Sequence, residues 1–188
     1  LNKNLVTLLK NAGGKGVGIS GMDGGLFEAV KLNDPDGTEY GYVGDIVKTN
    51  PQIVLDMLEK GYIPVVSSIG CDASGHVYNI NADTAAAAVA ASLHAESLIS
   101  MTDIPGILLD PSDPSTLIRK VDLVRAQRLV DDGIITGGMI PKVACCMDAI
   151  KAGVKKVFVI DGRIPHAILV ETLTDEGIGT MFVKEDVS

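Results

Sequence analysis

The sequence predicts an α/β fold built on a mostly parallel sheet with helices on both faces. Three observations point there. Short apolar runs of strand length alternate with helical patterns along the chain. Glycine is frequent (21 residues) and aromatics are scarce (4%), which suits tight turns between strands and helices. The run from Tyr78 to Ala88 passes from a short hydrophobic strand through Asn81-Ala82-Asp83 into an alanine-rich helix. Such strand-to-helix junctions are where open α/β sheets bind ligands.

At 188 residues and 46% apolar composition, the chain can bury a core and reads as a single domain, residues 1–188. A net charge of −8 and a pI near 4.8 argue against nucleic acid or an acidic membrane as the main partner. Cys71, Cys145 and Cys146 have no metal-site spacing, and the adjacent pair reads as helix packing, so no bound metal is expected. Nothing reads as a disulfide framework, a signal peptide or a membrane span, so a cytoplasmic protein is expected.

The elements follow in order. Leu1, Leu5, Leu8 and Leu9 share one face of an opening helix, which Gly13-Gly14 ends. A chain that opens with Leu inside a helix reads as a piece of a longer polypeptide. Val17 to Ser20 is a strand, followed by the turn Gly21 to Gly25. Phe27 to Leu32 and Tyr40 to Val47 form a hairpin around the turn signal Asn33-Asp34-Pro35-Asp36-Gly37. Pro51 starts a helix that Gly61 stops. Ile63 to Ser67 is a buried strand, Ser68 to Gly75 a loop and His76 to Ile80 a strand. Asp83 to Leu93 is a helix, Ser97 to Met101 a strand, and Asp103 to Asp113 a loop. Helices span Val121 to Asp131 and Met139 to Ala152, the second ended by Gly153. Lys156 to Ile160 is a strand, Ile164 to Leu173 the last helix, and Met181 to Val183 an edge strand.

Several segments carry polar or glycine patterns that suit ligands. Asn79, Asn81 and Asp83 cluster at a strand end beside a helix start. Asn81 or Asp83 fits a helix cap, but one cap does not account for all three. Thr136-Gly137-Gly138-Met139-Ile140-Pro141-Lys142 has two glycines at a helix entrance, which leave backbone N–H groups open to a phosphate, and a lysine in the first turn. A glycine turn with a solvated lysine is the plainer alternative. Thr102 to Leu108 offers a rigid turn with apolar residues that would suit a flat base, or it is a simple connection. Ser20 to Gly25 is a turn or a binding loop. Lys151, Lys155 and Lys156 read as a solvated basic edge, and His166 as structural.

Four stretches agree in identity, order and spacing with one family. They are Tyr62-Ile63-Pro64-Val65-Val66-Ser67-Ser68-Ile69-Gly70, Asn79 to Asp83, Thr102 to Leu108, and Gly133 to Lys142. Together they closely resemble the N-acetyl-L-glutamate kinases of the amino acid kinase family, over essentially all 188 residues. The resemblance implies a three-layer αβα sandwich around a mainly parallel sheet (the carbamate kinase-like fold), with the nucleotide lobe mainly in residues 84–188. It implies that ATP, carried with Mg²⁺, phosphorylates the γ-carboxylate of N-acetyl-L-glutamate in arginine biosynthesis, leaving ADP. By the same resemblance Asn79 and Asn81 bind the acetylglutamate, Asp83 orients catalytic lysines, and Lys142 stabilises the transferring phosphoryl group. Asp103, Ile104, Pro105, Gly106, Ile107 and Leu108, with Ile134, Ile135, Thr136, Gly137, Gly138 and Met139, correspond to its nucleotide-binding segments.

The physical chemistry agrees with those roles. A carboxylate is ionised at neutral pH and needs no general base. Catalysis then rests on aligning two anions and neutralising the charge between them.

The family pattern also begins with a strand and a Gly-rich loop that bears a second catalytic lysine, and later has a substrate-binding arginine. None of these is in this sequence, so turnover by this chain alone is not expected. Met22 departs from a lysine common at that position of the family's Ser-Gly-x-Asp-Gly loop, here Ser20 to Gly24. The segment from His166 to Thr180 resembles arginine-inhibited members, which implies L-arginine as an effector held by Glu171, Gly177 and Gly179. A helix face followed by a turn explains it as well. A homo-oligomer is implied for a full-length member. A non-catalytic nucleotide- or arginine-binding module, or another amino acid kinase, remains the alternative.

Overall fold

Two units make up the chain, Leu1–Leu93 and His94–Ser188. The computed structural model describes residues 1–33, 39–174 and 177–185, with the side chain of residue 39 left aside. The first unit runs α1 (Asn2–Asn11), β1 (Gly16–Ser20), β2 (Phe27–Asn33), β3 (Glu39–Thr49), α2 (Gln52–Glu59), β4 (Ile63–Ser67), β5 (Ile69–Cys71), β6 (Val77–Asn79) and α3 (Ala82–Ser92).

β1 and β4 pair in parallel from Gly16↔Ile63 to Ser20↔Ser67. The hairpins β2–β3 and β5–β6 are antiparallel. Two single parallel pairs, Glu28↔Cys71 and Val43↔Asn79, join the hairpins into a closed ring in the order β2-β3-β6-β5. Leu26, Phe27, Ala29, Tyr78 and Ile80 are buried in this unit's core. Each large apolar side chain so buried stabilises the fold by about 1.5–3 kcal/mol.

The second unit runs β7 (Ser97–Thr102), β8 (Lys120–Asp122), α4 (Leu123–Asp131), α5 (Met139–Lys151), β9 (Lys156–Asp161), α6 (Ala167–Leu173) and β10 (Thr180–Val183). Its strand order is β7-β9-β10-β8. The β7–β9 and β8–β10 pairs are parallel, and β9–β10 is antiparallel. β9 is buried from Val157 to Asp161, as a central strand covered on both faces should be. The α/β class therefore holds, with mixed sheets: two of the three pairings in the second unit's sheet are parallel and one is antiparallel.

Five expectations need correction. The opening helix forms, but Leu1, Leu5 and Leu8 are exposed. The side that meets β1 carries Asn2, Val6 and Leu9, spaced i, i+4, i+7. Gly16 and Gly18 let the helix approach, since a Cβ at Gly18 would run into the Asn2 amide. Asn2 Nδ2 then donates to the carbonyls of Ile19 (3.0 Å) and Val65 (2.7 Å) and to Ser67 Oγ (3.0 Å).

The loop expected over Ser68–Gly75 contains β5, because Asp72 N–H donates to the His76 carbonyl (3.1 Å) and starts a hairpin turn. The helix expected from Val121 begins at Leu123. Asp122 caps it, its carboxylate accepting from Arg125 N–H at 2.7 Å, and Val121 is freed to pair with Phe182 in β10. The last helix starts at Ala167 rather than Ile164, because Pro165 disfavours helix at the residue before it and His166 is left-handed (φ 60°). β10 is interior rather than an edge, flanked by β9 and β8, with Phe182 fully buried. Of the Asn33-to-Gly37 turn, residues 34–37 lie outside the described residues.

Gly44 gives a test of the ring's packing. A Cβ there would lie 2.6 Å from Tyr78 Cβ and 2.8 Å from the Val30 carbonyl oxygen, neither of them the end of a flexible side chain. Gly44→Ala should lower stability by about 1–3 kcal/mol in denaturant unfolding.

Candidate functional site

In the first unit the polar residues of interest collect where β6 meets α3. Asn79 ends β6 and is exposed, alternating with buried Tyr78 and Ile80. It pairs with both Ile69 and Val43, so it stands where the ring closes. Asn81 is the N-cap of α3, its Oδ1 accepting from the N–H groups of Asp83 (2.9 Å) and Thr84 (3.2 Å). Its amide NH₂ is the part left for a ligand. Asp83 lies in the first helical turn, where a negative charge is favourable against the helix dipole.

The hairpin that carries Asn79 is held by one carboxylate. Asp72 Oδ1 accepts from the N–H groups of Ser74 and His76, both at 2.9 Å. Its Oδ2 accepts from Tyr78 O–H (3.0 Å) and lies 2.9 Å from His76 Nδ1. Burial pushes the Asp72 carboxyl up, but the donors from His76, Tyr78 and Ser74 outweigh it and hold the group at about 2.

In the second unit a cavity of about 400 Å³ opens beside the start of α5. Residues from Asp103 to Leu108 line one side, and Ile134, Ile135, Thr136 and Met139 another. The first segment leaves β7 and is tied to β10, since Ile107 N–H donates to buried Thr180 Oγ1 at 2.9 Å. Gly106 has φ 135°, and a Cβ there would lie 2.5 Å from Thr180 Oγ1, so only glycine fits. The second segment folds back on α4, with Ile134 and Ile135 N–H both donating to the Leu129 carbonyl at 3.0 Å. Gly137 has φ 55°, and Gly138 is the residue from which α5 begins.

The cavity thus gathers ten of the twelve residues expected to bind nucleotide. Gly137, Gly138 and Lys142 are not among its lining. Lys142 Nζ donates to Ser100 Oγ on β7 at 3.4 Å.

Pro111 and Arg163 also line the cavity, and neither is among the residues expected there from the sequence. For Arg163 a signal existed. Asp161-Gly162-Arg163 follows directly on an expected strand, at the end where α/β sheets bind ligands. Asp161 is buried, and its carboxyl is held below the usual range by the Arg163 side chain first and the Arg163 backbone N–H second.

A second cavity in this unit, about 470 Å³, is lined by Glu171, Gly177 and Gly179 together with Arg119, Lys120 and Lys156. Glu171 Oε2 already accepts from the N–H groups of Ile178 (2.6 Å) and Gly179 (3.0 Å), and Arg119 donates to the Gly177 carbonyl. Residues 175 and 176 of this loop lie outside the described residues. Lys156, expected on a solvated edge, faces this cavity, while Lys151 pairs with Asp148 at 3.2 Å. Among the described residues no helix is long and apolar enough to cross a membrane.

A parallel strand pair with a ligand-sized cavity at its C-terminal end, beside a glycine-led helix, is where an α/β protein binds a small ligand. Residues 1–161 match the model of the amino acid kinase family, and the chain belongs to that family. It is 51% identical over 185 residues to the acetylglutamate kinase of Brachyspira hyodysenteriae, covering 98% of this chain and 64% of that relative. It is 49% identical over 188 residues to that of Thermosynechococcus vestitus, covering 100% of this chain and 63% of the relative. The chain therefore spans a little under two thirds of the length of these curated relatives. The crystal structure of N-acetylglutamate synthase from Neisseria gonorrhoeae, complexed with coenzyme A and L-arginine, is similar with a TM-score of 0.79. There the identity is 30%, covering 89% of this chain and 38% of that one.

The Asp72 clasp predicts a pH dependence. The folded carboxyl titrates below its ordinary 3.8, so its stabilising contribution is complete above 3.8 and is lost as pH falls from there through about 2. In an NMR titration the Asp72 carboxyl should have its midpoint near 2. The Ser74 and His76 amides should lose their hydrogen-bonded shifts over the same interval.

Proposed function

We propose that this chain carries the nucleotide-binding residues and acceptor-binding residues of an acetylglutamate kinase. The reaction moves the γ-phosphoryl group of ATP onto the γ-carboxylate of N-acetyl-L-glutamate, for arginine biosynthesis in the cytoplasm. One observation carries the reading. Asp103–Leu108 and, far along the sequence, Ile134, Ile135, Thr136 and Met139 line a single cavity whose volume of about 400 Å³ suits a small ligand. The names of the curated relatives support it.

The chemistry assigns a role to each residue. The acceptor carboxylate is ionised at neutral pH and attacks without a base. Asn79 and the amide NH₂ of Asn81 donate hydrogen bonds to the acetylglutamate. Asp83 is itself anionic, repels a second carboxylate and serves better as a holder of cations. Gly137 and Gly138 leave the entrance of α5 clear of side chains, and backbone N–H groups there favour phosphate oxygens. Lys142 balances the negative charge that the phosphoryl group carries in transfer. Mg²⁺ enters as part of the nucleotide substrate and keeps several of its waters.

The cavity around Glu171 favours a second, regulatory reading, in which L-arginine binds there. Its cations suit the α-carboxylate of an amino acid, and the free oxygen of Glu171 suits a guanidinium. The solved synthase with L-arginine is the relative that supports this.

Calorimetry with Mg-ADP tests the main reading. The parent chain should bind Mg-ADP, and Lys142→Ala should bind a non-hydrolysable Mg-ATP analogue, which carries the third phosphate, about tenfold or more weakly, the effect of losing one charge-assisted contact. A well-folded parent that gives no heat with Mg-ADP would sink the nucleotide assignment for this chain.

A further inference from the structure

Arg163 is the only cation lining the nucleotide cavity among the described residues. It is also held in one place. Its Nε donates to Asp161 Oδ1 at 2.9 Å, and its Nη2 donates to Asp161 Oδ2 at 2.8 Å. Its own backbone N–H closes a third bond to Oδ1 at 2.9 Å. A paired fork of this kind fixes both the plane and the direction of a guanidinium.

The two partners differ sharply in exposure. The Asp161 side chain is 11% exposed, the Arg163 side chain 68%. A buried carboxylate thus anchors a cation that stands in solvent at the cavity wall. The fork uses Nε and one hydrogen of Nη2. Among the described residues Nη1 has no hydrogen-bond partner, so two N–H groups of Nη1 and one of Nη2 remain for a ligand. A purely structural ion pair would need no position on a cavity wall.

The location gives the ligand. Asp161 is level with Thr102 at the C-terminal ends of the parallel strands β9 and β7. Gly162 N–H donates to the Thr102 carbonyl at 2.8 Å, carrying the ladder one step further. Arg163 therefore emerges beside the turn that starts at Asp103, whose carboxylate also interacts with it through charge. The cavity's other charge is negative, so without Arg163 it would repel an anionic ligand.

We infer that Arg163 is a phosphate-binding residue of the nucleotide site, with Asp161 as its positioning residue. This rests on the nucleotide reading of the cavity. Arg163 donates to phosphate oxygens of the bound nucleotide, and Asp161 holds the guanidinium in place before the nucleotide arrives. No group is transferred to or from either residue.

The test compares adenosine with Mg-ADP by calorimetry on the parent chain, Arg163→Gln and Asp161→Asn. Arg163→Gln should weaken Mg-ADP by about 10- to 100-fold, the effect of losing hydrogen bonds to a charged group. Its affinity for adenosine should hold within about threefold, and the loss for Mg-ADP should shrink as salt is raised. Asp161→Asn should move the same ratio in the same direction. Thermal unfolding of each variant separates this from loss of fold. Equal losses for adenosine and Mg-ADP would overturn the phosphate assignment in favour of contact with the base or ribose. Unchanged binding in a folded Arg163→Gln would overturn it outright. A parent that binds neither ligand defeats the nucleotide reading itself and this inference with it, an outcome distinct from the other two.

Discussion

The parallel register between β7 and β9 is the constraint on which the second unit's site depends. Six pairs run in step from Ser97↔Lys156 to Thr102↔Asp161. Because the two strands end level, the chain leaves both of them at the same edge of the sheet. One exit becomes the Asp103–Leu108 wall, the other the Asp161–Arg163 anchor. A slip of one residue would turn every side chain of one strand to the opposite face. Asp161 would then lose its buried position, and the guanidinium its anchor.

Carboxylates do much of the local holding in this acidic chain. Asp23 accepts from Ser20 N–H and Oγ, at 2.7 and 2.8 Å, and closes the turn after β1. Asp110 and Asp113 do the same for Ser112 and Ser115 in the loop beyond Leu108, and all three carboxyls lie below their ordinary values for that reason. Asp122 caps α4. Several of the chain's carboxylates thus serve turns and helix starts, and in the turns their hydrogen bonds keep them ionised.

Those same local patterns explain what could be read from the sequence. The glycine-led turn at Thr136–Gly138 and the rigid segment Asp103–Leu108 are short-range features that stand out in the sequence, while their grouping around one ligand came from the family resemblance. The Asn81 cap was legible for the same reason, since capping is decided within three residues. What escaped depends on distant partners. β5 and β8 are three residues each, too short for a period to register, and exist because β6 and β10 pair with them. The interior place of β10 is a matter of strand order. The leucine spacing in α1 misleads because the sheet selects Asn2, Val6 and Leu9 by direction. Arg163 comes to the cavity wall through its pairing with Asp161 at the end of β9, which is a fact of space rather than of sequence.

The ring of β2, β3, β6 and β5 has unequal joints. Within each hairpin the strands are neighbours in sequence and find their register at low entropic cost. Between the hairpins there is one residue pair on each side, Glu28↔Cys71 and Val43↔Asn79. Folding should therefore form the hairpins early and close these seams late, and thermal fluctuation should undo them in the reverse order. Asn79 sits on one seam. Backbone breathing at residue 79 is then a sub-global opening of the ring, far cheaper than unfolding the unit, and slow hydrogen exchange should give way there first. An acceptor held by Asn79 would act as a clasp on the ring, and its binding energy would appear partly as protection of strands it does not touch.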